Sequence, residues 1–252
     1  MDFISADWPA PKRVRTMVTQ RTHGTSLSPY DSLNLGDHVG DDPNAVLLNR
    51  QLLRAVLPSE PLWMRQTHGT LVSMSLSGVR ESLVPDADAA VTNRANEVLA
   101  VLTADCLPVF FCSADGKQIG VAHAGWRGLC AGILENTVSA LIQQSVGLTP
   151  SALLAWLGPA IGQNHFEVGK EVLESFDQQD FEINLQTFQP ILQKPGKYLA
   201  NLDLLAHQAL KRAGVQNVYG GGLCTYTQSS QYFSHRRDGV SGRFASLIWI
   251  EP

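Results

Sequence analysis

Apolar residues fall along the chain mostly in short runs rather than long helical stripes. Runs over 62–67, 71–76, 88–92, 98–103, 108–112 and 118–122 lie between turn residues and predict strands. Another strand is expected over 152–157, before Gly158-Pro159, and a last one over 244–250. Helical spacing marks three places. Asp42 as N-cap and Pro43 as first helical residue open a helix with Val46, Leu52, Leu53 and Val56 on its apolar face, and Pro58 stops it. After a break at Gly125 to Gly128, the residues Leu129, Ile133, Val138, Leu141 and Ile142 predict a helix over 129–145, ending near Gly147. Asn201 caps a third, which carries Leu204, Leu205 and Leu210 and closes at Gly214. Consecutive strands with separated helices favour an α+β fold. No repeat, low-complexity tract or linker interrupts the pattern, so residues 1–252 read as a single domain.

Composition narrows the classes. With 252 residues, 44% of them hydrophobic, the chain can bury a large core. Its 19 basic and 23 acidic residues are dispersed, giving a net charge of -4, and form no basic stripe of the kind that binds nucleic acid. The most apolar stretch, Val98 to Cys112, is interrupted by Asp105 and Pro108 and is too short to span a membrane. Met1 to Arg15 lacks the charged-then-apolar order of a signal peptide. Cys106, Cys112, Cys130 and Cys224 include no two-residue-spaced pair, which suggests reduced thiols and a cytoplasmic location.

Three segments put a possible metal donor where an apolar run gives way to a loop: Gln66-Thr67-His68-Gly69, Thr103-Ala104-Asp105-Cys106 and Val121-Ala122-His123-Ala124-Gly125. A strand end fixes a side chain and the loop leaves access. Zinc accepts imidazole nitrogen and thiolate sulfur, and catalytic zinc typically keeps three protein ligands and one open position. His68, Cys106 and His123 meet that count. Singly, they also fit ordinary roles: Cys106 as a small buried hydrophobe, the histidines as turn or hydrogen-bonded core residues. Asp105 is either an acceptor behind the ligands or a turn former.

Read together, the segments Met64-Arg65-Gln66-Thr67-His68-Gly69, Asp86-Ala87-Asp88-Ala89, Thr103-Ala104-Asp105-Cys106-Leu107-Pro108-Val109 and Ala122-His123-Ala124-Gly125-Trp126-Arg127-Gly128 resemble the YfiH family. The likeness includes Ser32-Leu33-Asn34-Leu35-Gly36 and Gly40-Asp41-Asp42-Pro43 near the start. It continues through Gly158-Pro159-Ala160-Ile161-Gly162 and Asn201-Leu202-Asp203 to Ser234-His235-Arg236-Arg237-Asp238 and Gly242-Arg243. One departure is His235, where the family pattern suggests tyrosine. Members are called polyphenol oxidase or laccase-like proteins, purine nucleoside phosphorylases or peptidoglycan editing factors.

The resemblance implies a single α+β domain with two mixed β-sheets sandwiched between helical layers. It implies a zinc site at His68, Cys106 and His123 that is also the catalytic centre. The implied reaction is phosphorolysis of adenosine, inosine or methylthioadenosine, with adenosine deaminase activity alongside. Candidate substrate contacts are Asn34, Arg65 beside His68, Arg127 in the turn Gly125-Trp126-Arg127-Gly128, and Arg236, grouped with Arg237 and Arg243. Free backbone N–H groups at that turn, with Arg127, suit an anion such as phosphate. Asn34 equally fits a turn-forming role, and Trp126 fits either stacking on a base or simple packing.

Three rival functions share these residues. A metal-assisted amidase would remove a wrong amino acid from a muramyl cell-wall precursor, using the same open zinc. A copper polyphenol oxidase is disfavoured, because the seven histidines include no His-x-His pair, although copper can load such a site adventitiously. The last rival is a non-enzymatic interaction module stabilised by its metal.

Overall fold

The computed structural model describes residues 1–74 and 84–252. Its centre is a pair of facing mixed sheets. One has the order β1 (Phe3–Ile4), β2 (Val14–Thr19), β14 (Phe244–Ile250), β6 (Val98–Thr103), β3 (Pro61–Leu62). The other runs β13 (Asn217–Gly220), β9 (Leu153–Leu157), β7 (Leu107–Ser113), β8 (Ile119–Ala124), β5 (Ala89–Thr92), β4 (Val72–Met74). A third, antiparallel sheet joins β10 (Glu167–Gly169), β12 (Lys197–Ala200) and β11 (Phe188–Pro190). The expected number of sheets was two; the extra one is built from three short strands whose apolar runs are too brief to register as a pattern.

Alternate residues of the central strands face different layers. Leu99, Val101, Phe244 and Ile248 meet Phe110, Cys112, Ile119, Val121 and Trp156 between the two sheets. Ala100, Leu102, Ala245 and Leu247 face the other way, with Leu53 and Leu57 from and just beyond α1 (Pro43–Arg54). On the far side, Val91, Val109, Phe111 and Ala155 pack with α3 (Ile133–Gln143) and α5 (Leu202–Arg212). The order is therefore helix, sheet, sheet, helix, as the sandwich expectation required. Strands buried on both faces read as continuous apolar runs, not alternating ones.

The predicted helix over 129–145 is two helices, α2 (Trp126–Ala131) and α3, broken at Gly132, whose φ of 99° suits glycine. The run at 62–67 is a strand only at 61–62. Beyond it, the Gln66 side chain substitutes for a neighbouring strand, donating to Leu102 O at 2.9 Å and accepting from Leu102 N at 2.7 Å. The expected strand over 71–76 is present at Val72–Met74, and residues 75–76 lie outside the described ones. Unanticipated elements are β1, β2, β13, the third sheet, α4 (Lys170–Asp177) and α6 (His235–Asp238).

The Asp42 cap is formed, accepting from Asn44 N, and Val46 and Leu53 of the expected apolar face point inward, but the buried face is rotated away from Leu52 and Val56. Val46, Asn49 and Leu53 are buried, whereas Leu52 and Val56 are about half exposed, at 46% and 56%. Asn49 decides this. Its amide donates to Ser26 Oγ, Ser32 O and Asn34 O and accepts from Thr25 N and Thr25 Oγ1. A buried side-chain amide so fully engaged fixes the helix rotation against a weaker apolar preference.

Candidate metal centre

The ladder of the six-stranded sheet assembles the site at one end. β5 and β8 pair with Ala89 opposite Ala122, so Asp88 falls beside His123 and its carbonyl accepts from His123 N at 2.7 Å. β7 and β8 pair with Leu107 opposite Ala124, which places Cys106 next to Gly125. His68 arrives from a loop. The donor atoms of His68, Cys106 and His123 lie within 4.8 Å of one another, with Cys106 Sγ 3.7 Å from His68 Nε2. The two imidazoles meet edge to face at 4.7 Å. His68 is exposed, Cys106 half-buried and His123 buried, so the cluster has a deep side and an open side.

Two carboxylates hold the ligand turns. Asp88 is buried; its Oδ1 accepts from His68 N (2.9 Å) and its Oδ2 from Thr67 N (3.1 Å), Thr67 Oγ1 (3.0 Å) and Gly69 N (2.8 Å). Three successive backbone N–H groups thus point at one carboxyl, a nest for an anion, and keep His68 at a φ of 59°. The same Oδ1 lies 2.8 Å from His123 Nδ1. Asp105 sits at a φ of 93°, a costly conformation for a residue with a Cβ. It is held there by Ile161 N on its carbonyl, Thr225 Oγ1 on Oδ1 and Arg236 N on Oδ2, at 2.7 to 2.9 Å.

These contacts set the charges. Burial works against an ionised Asp88, but the bonds from His123, Gly69 and Thr67 outweigh it and bring the carboxyl down to about 2. Burial likewise opposes a Cys106 thiolate, yet the charge and hydrogen bonds of His123 and His68 lower the thiol to about 6. Burial favours a neutral His123, but the charge of Cys106 and the bond to Asp88 raise it to about 9. An ionised carboxylate only accepts, so His123 Nδ1 donates to Asp88 and Nε2 is left for the cluster.

The donor set fits one divalent ion. Zinc–sulfur and zinc–nitrogen bonds of ordinary length put neighbouring donors roughly 3.5 Å apart, close to the 3.7 Å between Cys106 and His68. Gly125 is part of that fit: a Cβ there would come within 2.7 Å of His68 Cδ2 and 3.1 Å of Cys106 Sγ. At Gly128 a Cβ would meet Gly69 O at 2.8 Å. The glycines of this turn let α2 start against the ligand loop.

The other candidate residues are not gathered with the donors into one cluster. Asn34 is fully buried and its amide is saturated, accepting from Gly36 N and Arg243 N and donating to Gly36 O and Asp41 Oδ2. This is the turn-forming role. Arg65 is 73% exposed and forms a bidentate ion pair with Asp86. Arg127 is exposed and lies over the Trp126 ring at 4.4 Å. Arg236 donates from Nη1 to Glu167 O at 2.9 Å and lines a cavity of about 500 Å³ with Asn164, His165, Glu167, Leu199 and Tyr226. A larger cavity of about 720 Å³, beside α5, holds none of the metal donors. His235 is exposed at the start of α6.

Sequence reasoning missed Asp88 as the organiser of the site. A carboxylate heading the run Ala89-Ala90-Val91 was the available signal, since an Asp drawn into a buried strand must be paired.

A family model described as "Multi-copper polyphenol oxidoreductase laccase" matches residues 15–251. The chain belongs to this family. That is the YfiH family of the sequence motifs: the chain is 47% identical to "Purine nucleoside phosphorylase YfiH" of Escherichia coli, over 98% of each protein. It is 44% identical to "Purine nucleoside phosphorylase" of Haemophilus influenzae over the full length of both. Among solved structures it is similar to protein NMB0706 of Neisseria meningitidis, with a TM-score of 0.91, 44% identity and complete coverage of both chains. It is also similar to YlmD of Geobacillus stearothermophilus, with a TM-score of 0.90 and 30% identity over 100% of this chain and 97% of the other. Although the family description speaks of several coppers, the described residues contain one group of three converging metal donors.

Proposed function

We propose that the chain is a zinc-dependent purine nucleoside phosphorylase acting on adenosine, inosine and methylthioadenosine, with adenosine deaminase activity at the same centre. The observation that carries the reading is the cluster of His68, Cys106 and His123, the one such group among the described residues, in a chain 44–47% identical to proteins named purine nucleoside phosphorylase. One thiolate and two imidazoles suit zinc, whereas a multicopper centre needs many more histidines. Four thiols without a disulfide fit the cytoplasm.

When bound, the metal supplies Lewis acidity and a lowered pKa for a bound water. The chain does the rest. Asp88 fixes the tautomer of His123 and the conformation of His68. Asp105 fixes the turn that carries Cys106, and the exposed side at His68 admits the reactants. In phosphorolysis the bond from the sugar's anomeric carbon to the purine nitrogen breaks and one to a phosphate oxygen forms, and the departing base takes up a proton. In deamination, water replaces the amino group and ammonia leaves.

The test is incubation of the purified protein with inosine, with and without phosphate, and chromatography of the products. Hypoxanthine and ribose 1-phosphate appearing only with phosphate is the expected result. No phosphate-dependent product overturns the reading. Release of serine or glycine from a muramyl precursor instead would assign the chain to cell-wall editing.

A further inference from the structure

Two motifs far apart in sequence meet beside the metal donors, and neither is used by the chemistry above. Arg243 N donates to Asn34 Oδ1 at 2.8 Å, and Leu35 N donates to Arg243 O at 3.0 Å. The stem of Arg243 lies on Gly36, where a Cβ would come within 2.9 Å of Arg243 Cγ. The Ser32–Gly36 segment is thus a saddle for this one arginine. Its position along β14 is equally defined: Phe244 pairs with Thr103, so Arg243 stands at the end of β6 where the chain turns through Asp105 to Cys106.

The arginine is an unusual one. Its Nη1 donates to the carbonyls of Ser241 and Gly242 at 2.9 and 3.0 Å and lies 3.4 Å from Ser241 Oγ, while Nε and Nη2 have no acceptor among the described residues. Among the described residues no carboxylate pairs with it within ion-pair distance. Asp105, whose charge acts on Arg243 together with that of Cys106, already has its two oxygens engaged by Thr225 and Arg236 N. Burial accordingly pulls the guanidinium below its usual range, against the attraction of Cys106 and Asp105. A half-buried guanidinium with one edge fixed and the other free matches the geometry of a tetrahedral oxyanion, to which Arg donates in parallel pairs.

The competing arginines are committed elsewhere. Arg65 is closed by Asp86, and Arg237 by Asp238 and the carbonyls of Thr225, Tyr226 and Tyr232. Arg127 is exposed and lies on Trp126.

We propose that Arg243, seated on Asn34 and Gly36, is the phosphate-holding residue beside the metal donors. Asn34 is then a positioning residue, acting on the anion through Arg243 rather than touching substrate. The identity of the anion as phosphate rests on the phosphorylase reading; the existence of an oxyanion site does not.

The experiment is calorimetric titration of the metal-loaded protein with inorganic phosphate alone, followed by KM for phosphate and for inosine, in wild type, Arg243→Gln and Arg243→Lys. Wild type is expected to bind phosphate. Arg243→Gln should weaken that binding and raise the phosphate KM by about tenfold or more, leaving the inosine KM within about twofold. Arg243→Lys keeps the charge but loses the paired donors, and should fall between them. Metal content and circular dichroism equal to wild type in either variant confirm an intact centre; should Gln prevent folding, Lys carries the comparison. Unchanged phosphate binding in the variants, or none in wild type, overturns the proposal. Phosphate binding that depends on Arg243 without any nucleoside cleavage would keep the anion site and discard the phosphorylase reading.

Discussion

His123 Nδ1 lies 2.8 Å from Asp88 Oδ1, and that same carboxyl group receives the backbone N–H groups of Thr67, His68 and Gly69. One side chain therefore orients two of the three candidate metal donors: a buried imidazole by its tautomer and an exposed one by its loop. Partners behind metal ligands commonly matter for affinity, and this one serves both histidines.

Asp88→Asn tests that double role. The amide cannot accept on both ends, so part of the nest opens and His123 loses its anionic partner. Zinc affinity should drop about 10- to 100-fold, measured by competition with a chromophoric chelator. Affinity equal to wild type would show that the donors orient themselves.

The same carboxyl makes a pH prediction. Its value is about 2 in the folded chain against 3.8 when unperturbed, so the unfolded state binds the proton more readily. The stabilisation is thus present above about pH 4 and is lost as pH falls towards 2, amounting to about 2 kcal/mol. Urea melts of the metal-free protein between those limits should show this slope, and Asp88→Asn should flatten it.

Thiol chemistry separates the cysteines. Cys106, lowered to about 6 by its histidine neighbours despite burial, should be alkylated by iodoacetamide near neutral pH in metal-free protein and protected when zinc is bound. Cys112, buried between the sheets and pushed up to about 12, should not react in the folded state. Peptide mass spectrometry reads both sites, and equal labelling would contradict the assignment.

Gly125→Ala adds one carbon where only 2.7 Å separates it from His68 Cδ2. Since His68 is exposed, its ring can move away, so the fold should survive while zinc binding weakens by about tenfold or more. Melting temperature and metal content, taken together, distinguish this from general destabilisation.

Much of this arrangement was written in local patterns. The strands at 98–103 and 244–250 are buried on both faces and so appear as mainly apolar runs, with Thr103 and Ser246 the polar exceptions. The three donors stand where such runs stop or where a loop returns to them. What local pattern does not carry is pairing across the chain. The orientation of α1 depends on Asn49 reaching five groups between Thr25 and Asn34, against the Leu52 and Val56 stripe. The parts of Asp88 and Arg243 become visible only when Asp88 meets His123, 35 positions on, and Arg243 meets Asn34, 209 positions back. The third sheet escaped notice because strands of three or four residues leave too few apolar positions to form a period.

The most direct measurement is elemental analysis of the chain purified without added metal, wild type beside Cys106→Ala. One zinc per wild-type chain and a folded variant largely free of it are expected. Stoichiometric copper in the wild type, or undiminished zinc in the variant, would contradict the zinc assignment.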